Sequence, residues 1–93
     1  MLREYSEKQL LLMSIRRVVT WYDKDTNRLV GEMDATHIDI AVLRQIFNPP
    51  PPDPFLYRSY EIDVAQSYLI EEWMPVAFDF EAHIYQLDCF RDG

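Results

Sequence analysis

The sequence predicts an α+β fold, in which a three- to four-stranded antiparallel sheet carries two helices packed on one face. Residues 15–22 are rich in β-branched and aromatic side chains, and residues 83–90 alternate between apolar and polar ones, as strands do. Residues 37–47 and 64–74 instead carry apolar side chains at helical spacing. The predicted order is β-β-α-(β)-α-β, and the 93-residue length suits a single domain.

The first two strands are predicted to form a hairpin. After the strand of residues 15–22, the polar residues 23–27 favour a turn, because Asp and Asn side chains can bond to their own backbone. Residues 28–33 then return as the second strand, in which Gly31 indicates a bulge or a close approach to the backbone. Residues 1–13 are interpreted as a helical or flexible lead-in, with Met13 a candidate second start site, and residues 14–93 as the domain.

The first helix is predicted over residues 37–47. Thr36 is the expected N-cap, with Asp39 three residues later in a position typical of a capping box. The apolar stripe of this helix consists of Ile38, Val42, Leu43, Ile46 and Phe47. Prolines end the helix, and residues 49–54 are predicted to extend as a stiff polyproline spacer about 20 Å long.

The second helix is predicted over residues 64–74, after a short edge strand within residues 55–62. Asp63 is its expected N-cap and Pro75 its end. One row of side chains at i, i+4 spacing consists of Ala65, Leu69 and Trp73, while Glu71 and Glu72 should face outward. The last strand, residues 83–90, is expected to pair beside the first at the centre of the sheet.

The net charge of −7 belongs entirely to the second half of the chain. Residues 1–47 contain seven Lys or Arg and seven Asp or Glu, whereas residues 48–93 contain two Arg and nine Asp or Glu. Direct binding to nucleic acid is therefore not expected, since that affinity comes largely from Lys and Arg. A basic protein partner would instead be attracted.

The residue types that usually build catalytic, cofactor or metal sites are scarce. The chain has two glycines, so a glycine-rich phosphate loop is not expected. His37 and His83 have no further ligand at metal-binding spacing. Cys89 lies six residues after His83, about 20 Å along an extended strand, which is too far for a nucleophile and its base. We therefore predict no enzyme activity, no cofactor and no metal.

A cytoplasmic location is the expectation from the same composition. Cys89 is the single cysteine, so an intrachain disulfide is impossible, which suits a reducing compartment. The sequence has no apolar stretch near the eighteen residues of a membrane span. No membrane association is therefore predicted.

Acidic and aromatic residues surround the break at Pro75, and this combination predicts a docking face for a basic protein. The candidate partner-binding residues are Tyr68, Glu71, Glu72, Trp73, Asp79 and Glu81. The predicted function is a non-enzymatic interaction or inhibitory module, with a toxin-neutralising, immunity-type protein as its most specific form. Two alternatives stay open: a nucleic-acid mimic that inhibits a DNA- or RNA-binding effector, and a small homo-oligomeric structural or regulatory subunit.

Three groups of landmark residues occur between residues 15 and 90. They are Tyr22-Asp23-Lys24 with Leu29-Val30-Gly31-Glu32, then Asp53-Pro54 with Tyr60-Glu61-Ile62, and then Phe78-Asp79-Phe80 with Tyr85 and Cys89. In this combination the chain resembles a group of small, acidic, uncharacterised bacterial domains of unknown function. The resemblance implies an α+β fold and a bacterial origin, and it implies no activity and no catalytic residue.

Overall fold

The computed structural model describes residues 15–91, so the predicted lead-in of residues 1–13 lies outside the described residues. The α+β prediction and its element order are confirmed. The elements are β1 (Ile15–Asp23), β2 (Leu29–Asp34), α1 (Ile40–Phe47), β3 (Tyr60–Glu61), α2 (Val64–Ile70) and β4 (His83–Arg91). The four strands form one antiparallel sheet in the order β2-β1-β4-β3.

The two long strands β1 and β4 form the centre of the sheet, as the sequence predicts. They pair without interruption from Ile15 opposite Arg91 to Asp23 opposite His83. Because side chains alternate across a strand, this register fixes which residues share a face. Val19 lies beside Leu87 on the face that the helices cover, and Val18 lies beside Asp88 on the opposite face.

Gly31 has both of the features that the sequence predicts for it. The β1–β2 register shifts between Trp21, which pairs with Gly31, and Tyr22, which pairs with Leu29, so Val30 is the extra residue of a bulge. A Cβ atom at Gly31 would come within 2.5 Å of the Trp21 ring. Glycine is therefore needed here for the close approach of the indole.

Helix α1 begins later than predicted, and Thr36 is not its N-cap. Asp39 caps the helix instead, and its side chain accepts a hydrogen bond from the Ala41 N–H at 2.8 Å. The Thr36 hydroxyl is already engaged with the backbone of Arg17, since it accepts from the N–H at 3.1 Å and donates to the carbonyl at 3.3 Å. These bonds fasten the loop before α1 to strand β1.

The proline-rich connector is not a single extended spacer, as the sequence suggested. The Asp53 N–H donates to the Pro50 carbonyl at 2.9 Å and closes a turn within the run. The Leu56 N–H then donates to the Asp53 carbonyl at 3.2 Å, and Leu56 is fully buried with a positive φ of 54°. The connector therefore contains a turn, and Leu56, which follows it, contributes its side chain to the core.

Helix α2 starts as predicted but ends earlier and buries a different face. Asp63 and Gln66 form a complete capping box. The helix ends at Ile70, four residues before the predicted end. The predicted row of Ala65, Leu69 and Trp73 is exposed, and the buried positions are Ser67, Ile70 and Met74.

The hydrophobic core lies between one face of the sheet and the two helices, which confirms the predicted layering. Val19 and Leu87 contribute from the sheet, Leu43 and Phe47 from α1, and Ile70 from α2. Between residues 15 and 91, the longer helix has eight residues, and no helix is long and apolar enough to cross a membrane.

Candidate functional site

All six candidate partner-binding residues are exposed, and they lie in two segments. Tyr68 is in α2, and Glu71, Glu72 and Trp73 follow in the turn after it. Asp79 and Glu81 lie in a separate turn before β4. The four residues from Tyr68 to Trp73 therefore belong to one exposed segment, and the other two belong to another. The docking role of all six residues stays a prediction.

The first segment exposes large apolar side chains next to acidic ones. Tyr68 is 67 % exposed, Leu69 46 % and Trp73 44 %. Glu71 and Glu72 lie between them in sequence and are also exposed. We call these five residues the α2 patch. Leu69 belongs to the i, i+4 row of apolar residues that the sequence predicts for this helix, and it was not among the predicted docking residues.

Part of the α2 patch borders a groove between the two helices. The groove has a volume of about 210 Å³ and is lined by Val42, Gln45, Ile46, Leu69, Glu72 and Trp73. Val42 and Ile46 were predicted as core residues of α1, and in the structure they are half-buried and form the apolar side of this groove. The acidic side chain of Glu72 and the aromatic side chain of Trp73 therefore lie at the rim of this groove.

Backbone hydrogen bonds hold Trp73 in place at this rim. Its N–H donates to the Ile70 carbonyl at 2.9 Å, which closes a turn after the helix. Its carbonyl accepts a hydrogen bond from His37 Nε2 at 2.8 Å. The backbone position of Trp73 is thus set by α2 and by the loop before α1 together.

Glu71 and Glu72 form no ion pair within residues 15–91. Their charges are therefore not neutralised by a neighbouring Lys or Arg in the part of the chain that the structure describes. Exposed carboxylates of this kind are solvated, and they attract a cationic surface over a distance of about 8–10 Å at physiological salt. The α2 patch combines this charge with apolar area.

The turn at Asp79 has a clear structural role. The Asp79 N–H donates to the Tyr85 hydroxyl at 2.9 Å, and the Asp79 carbonyl accepts from the N–H groups of Ala82 and His83. Its carboxylate accepts from the Glu81 N–H at 3.2 Å. Asp79 therefore shapes the entry into β4, whereas Glu81 has an exposed side chain.

Asp53 is a buried carboxylate that sequence reasoning missed. It is 3 % exposed and accepts hydrogen bonds from the backbone N–H groups of Tyr57 at 2.9 Å and Arg58 at 3.1 Å, and from the Tyr60 hydroxyl at 2.5 Å. Burial opposes its ionisation, but these hydrogen bonds outweigh burial and lower the pKa of Asp53. Burial and the hydrogen bond to Asp53 together raise the pKa of Tyr60 to about 12.

Asp88 is a second buried carboxylate, on the sheet face opposite the helices. It is 7 % exposed and accepts from the Thr20 hydroxyl at 2.6 Å and from the Ser59 hydroxyl. In sequence, Asp88 is the polar position of an alternating strand and gives no sign of burial. Its partners lie 68 and 29 residues away, so only the folded sheet identifies it.

Among residues 15–91, no three His, Cys, Asp or Glu side chains are grouped to hold a metal ion. Cys89 is half-buried. A wider depression of about 430 Å³ at the end of α1 is lined by Ala41, Arg44, Gln45, Asn48 and Pro49, and no nucleophile or acid lines it.

The chain belongs to the family described as Domain of unknown function (DUF7683), whose model matches residues 16–88. The match spans the four strands and both helices almost completely, and it confirms the resemblance to an uncharacterised domain family. No curated protein matches the chain at a significant level.

Proposed function

We propose that this member of the DUF7683 family is a non-enzymatic interaction module that docks a basic protein partner through the α2 patch. In its most specific form, the module is an immunity-type protein that neutralises a toxin in the bacterial cytoplasm. One observation carries the proposal: the exposed aromatic residues Tyr68 and Trp73 flank Glu71 and Glu72 in the chain, and these two acids are exposed and lack an ion pair within residues 15–91.

The composition of the patch suits a protein interface. Tyr and Trp are enriched at the centres of interfaces, because they bury a large area at little cost in conformational entropy. Carboxylates at the rim steer a cationic partner toward the site and increase the association rate. Trp73 is the candidate anchor, since its backbone is already fixed by Ile70 and His37.

The dimensions of the groove favour a protein over a small-molecule ligand. Its volume of about 210 Å³ is below the range of roughly 300–1,000 Å³ that is typical of small-molecule sites. A groove of this size accommodates one or two apolar side chains projecting from a partner. Glu72 at the rim would then bind a Lys or Arg that flanks those side chains.

The two alternative functions receive less support from the charge distribution. Of the nine acids in residues 48–93, Asp53 and Asp88 are buried, and Asp92 lies outside the described residues. The exposed acids of residues 48–91 are spread over β3, the N-cap of α2 and two separate turns, whereas a nucleic-acid mimic needs a long, regular row of them. A homodimer formed by two copies of the α2 patch would bring Glu71 and Glu72 close to their own copies, which is unfavourable.

The proposal is tested by capture from a lysate of the native host, with three forms of the protein compared. The double variant Glu71→Lys/Glu72→Lys reverses the charge of the patch, and Glu32→Lys is a control at an exposed acid on β2. We expect that wild type and the Glu32→Lys control capture the same partner protein from the lysate, and that the double variant does not capture it. Trp73→Ala should also release it, by accelerating dissociation.

Three results would contradict the proposal. Equal loss in both charge variants would mean that the partner responds to net charge alone. Unchanged capture by the double variant and by Trp73→Ala would remove the α2 patch as the docking site. A light-scattering mass of two chains that falls to one in Trp73→Ala would favour the homo-oligomeric alternative.

A further inference from the structure

The groove between the two helices has two walls of the same construction. Each wall presents an apolar, a polar and an apolar side chain at i, i+3 and i+4, a spacing that groups side chains on one face of a helical turn. The lining residues are Val42, Gln45 and Ile46 on α1, and Leu69, Glu72 and Trp73 on α2 and the turn after it. The groove therefore has two apolar side chains and one polar side chain on each side.

Two hydrogen bonds connect the walls and indicate that the helices run antiparallel. Near the end of α1, the Ile46 carbonyl accepts a hydrogen bond from Nε2 of Gln66, at the start of α2, at 3.5 Å. At the other end, His37, which precedes α1, donates from Nε2 to the carbonyl of Trp73, which follows α2, at 2.8 Å. The end of α1 thus lies beside the start of α2, and the groove runs lengthwise between the helices.

The walls offer side chains to an incoming chain, because their backbone groups are largely engaged. The N–H groups of Gln45 and Ile46 lie within α1 and are used by the helix itself. The N–H and the carbonyl of Trp73 are bonded to Ile70 and His37. An extended segment in this groove would leave its own backbone groups without partners among apolar side chains, which is costly. A helix satisfies those groups internally.

The two walls differ in charge. Glu72, at the rim of the α2 wall, and the adjacent Glu71 are exposed and form no ion pair within residues 15–91. The α1 wall has the neutral Gln45 at its rim, with the exposed Arg44 next to it in the helix. A helix in the groove therefore meets negative charge along one flank and positive charge along the other.

We propose that the element that docks in this groove is an amphipathic helix of the partner, with Lys or Arg along the flank that faces α2. The proposal rests on the docking function proposed above and adds the form and orientation of the docked element. Apolar side chains at i and i+4 of such a helix are about 6 Å apart along its axis, the same rise as from Val42 to Ile46. Its other flank, which faces Arg44, is neutral or acidic.

Two peptide libraries displayed on phage distinguish a helix from an extended segment before the partner is known. One library has apolar residues fixed at i, i+3, i+4 and i+7, and the other has the same number of apolar residues at alternate positions. All other positions vary in both libraries. We expect peptides that bind the wild-type protein to come from the first library.

Leu69→Ser and Val64→Ser locate the selected peptides. Both residues are exposed apolar side chains of α2, Leu69 at 46 % and Val64 at 52 %, and of the two only Leu69 lines the groove. We expect the peptides to bind Leu69→Ser about tenfold more weakly than wild type, and Val64→Ser as tightly as wild type. Chemical denaturation confirms that both variants are folded.

A charge exchange tests the orientation. Glu72→Lys should weaken the selected peptides about fivefold, and replacement of the Lys and Arg residues on one peptide flank by Glu should restore binding to this variant. Glu32→Lys is the matched control, since it makes the same change in net charge at an exposed acid on β2. We expect no weakening and no such restoration in the control.

Each contrary result overturns the proposal. Enrichment from the alternating library, or from neither library, would mean that a helix does not occupy the groove. Equal weakening by Leu69→Ser and Val64→Ser would place the peptides on the outer face of α2, and equal restoration in Glu72→Lys and Glu32→Lys would remove the orientation. A light-scattering mass of two chains that falls to one in Leu69→Ser would assign the groove to a second copy. The docking function is decided separately, by the dependence of lysate capture on Glu71, Glu72 and Trp73.

Discussion

The buried carboxylates Asp53 and Asp88 carry the same kind of charge as the exposed pair Glu71 and Glu72, but they differ from that pair in burial and in hydrogen bonding. The first two are nearly inaccessible to water and accept several hydrogen bonds each, Asp53 from the loop that follows it and Asp88 from donors distant in sequence. The second two have no ion pair within residues 15–91 and lie beside exposed aromatic side chains. A count of acidic residues therefore overstates the charge that is available for binding, since part of it holds the fold together.

This contrast predicts that the two pairs affect different measurements. Removal of a buried carboxylate leaves its donors unsatisfied and lowers the free energy of unfolding. Removal of an exposed carboxylate changes the electrostatic field around the molecule and has little effect on stability.

Asp53→Ala should reduce the free energy of unfolding by about 3 kcal/mol, because two backbone N–H groups and the Tyr60 hydroxyl lose their acceptor. Chemical denaturation measures the change, and Glu72→Ala is the matched control at an exposed acid. A loss in Asp53→Ala no larger than in the control would mean that the loop of residues 53–60 does not depend on this carboxylate.

Asp88→Ala should reduce the free energy of unfolding by about 2 kcal/mol, because the Thr20 and Ser59 hydroxyls lose their acceptor. A double-mutant cycle with Thr20→Val tests the cause. Once Asp88 is absent, removal of the Thr20 hydroxyl should cost little, so the two losses should not add. Additive losses would show that the Thr20–Asp88 hydrogen bond contributes nothing to stability.

The strand pattern was predictable from sequence because it is local. β-Branched and aromatic residues in β1 and alternation in β4 indicate strands without reference to distant parts of the chain. The N-cap Asp63 was also predictable from local sequence, because Gln66, three residues later, completes its capping box. Gly31 was identified for the same reason, because a glycine within a strand requires a local explanation.

The buried face of α2 was not predictable from apolar spacing. The row of Ala65, Leu69 and Trp73 looks more apolar than the true buried face, which includes Ser67. Ser67 is tolerated there because its hydroxyl donates to the Val64 carbonyl at 2.6 Å within the helix. This internal bond removes the cost of burial, and Leu69 and Trp73 are left for the surface.

Hydrogen bonds and packing that form only in the folded chain account for the other differences. Thr36 has the residue type of an N-cap, but strand β1 engages its hydroxyl first. Asp53 follows four prolines and suggests a solvated turn, yet the backbone beyond it folds back onto its carboxylate. In the candidate site, the exposure of Tyr68, Glu71 and Glu72 was predicted from the sequence. The groove between α1 and the α2 patch was not predicted, because it depends on how the two helices pack.

The Asp53–Tyr60 pair should make stability depend on pH at both extremes. The pKa of Asp53 is lower in the folded state, so its contribution is complete above about pH 4 and is lost as the pH falls through the folded pKa. The pKa of Tyr60 is raised to about 12, so its contribution is complete below about pH 10 and is lost as the pH rises toward 12.

Variants of this pair separate the two ends of the pH profile. The stability difference between wild type and Asp53→Asn should shrink below about pH 4, and that between wild type and Tyr60→Phe should shrink above about pH 10. Chemical denaturation across the pH range measures both. Parallel profiles for wild type and both variants would contradict the shifted pKa values of this pair.

Glu71→Lys/Glu72→Lys should change the free energy of unfolding by less than about 0.5 kcal/mol, because neither carboxylate pairs with another charged side chain within residues 15–91. The same variant changes the net charge by +4, so it should slow association with a basic partner and flatten the salt dependence of that association. Stopped-flow kinetics with the captured partner measures the second effect and denaturation the first. A large loss of stability would mean that Glu71 and Glu72, like Asp53 and Asp88, stabilise the fold. Slower binding with unchanged stability would mean that they lie at the interface with the partner.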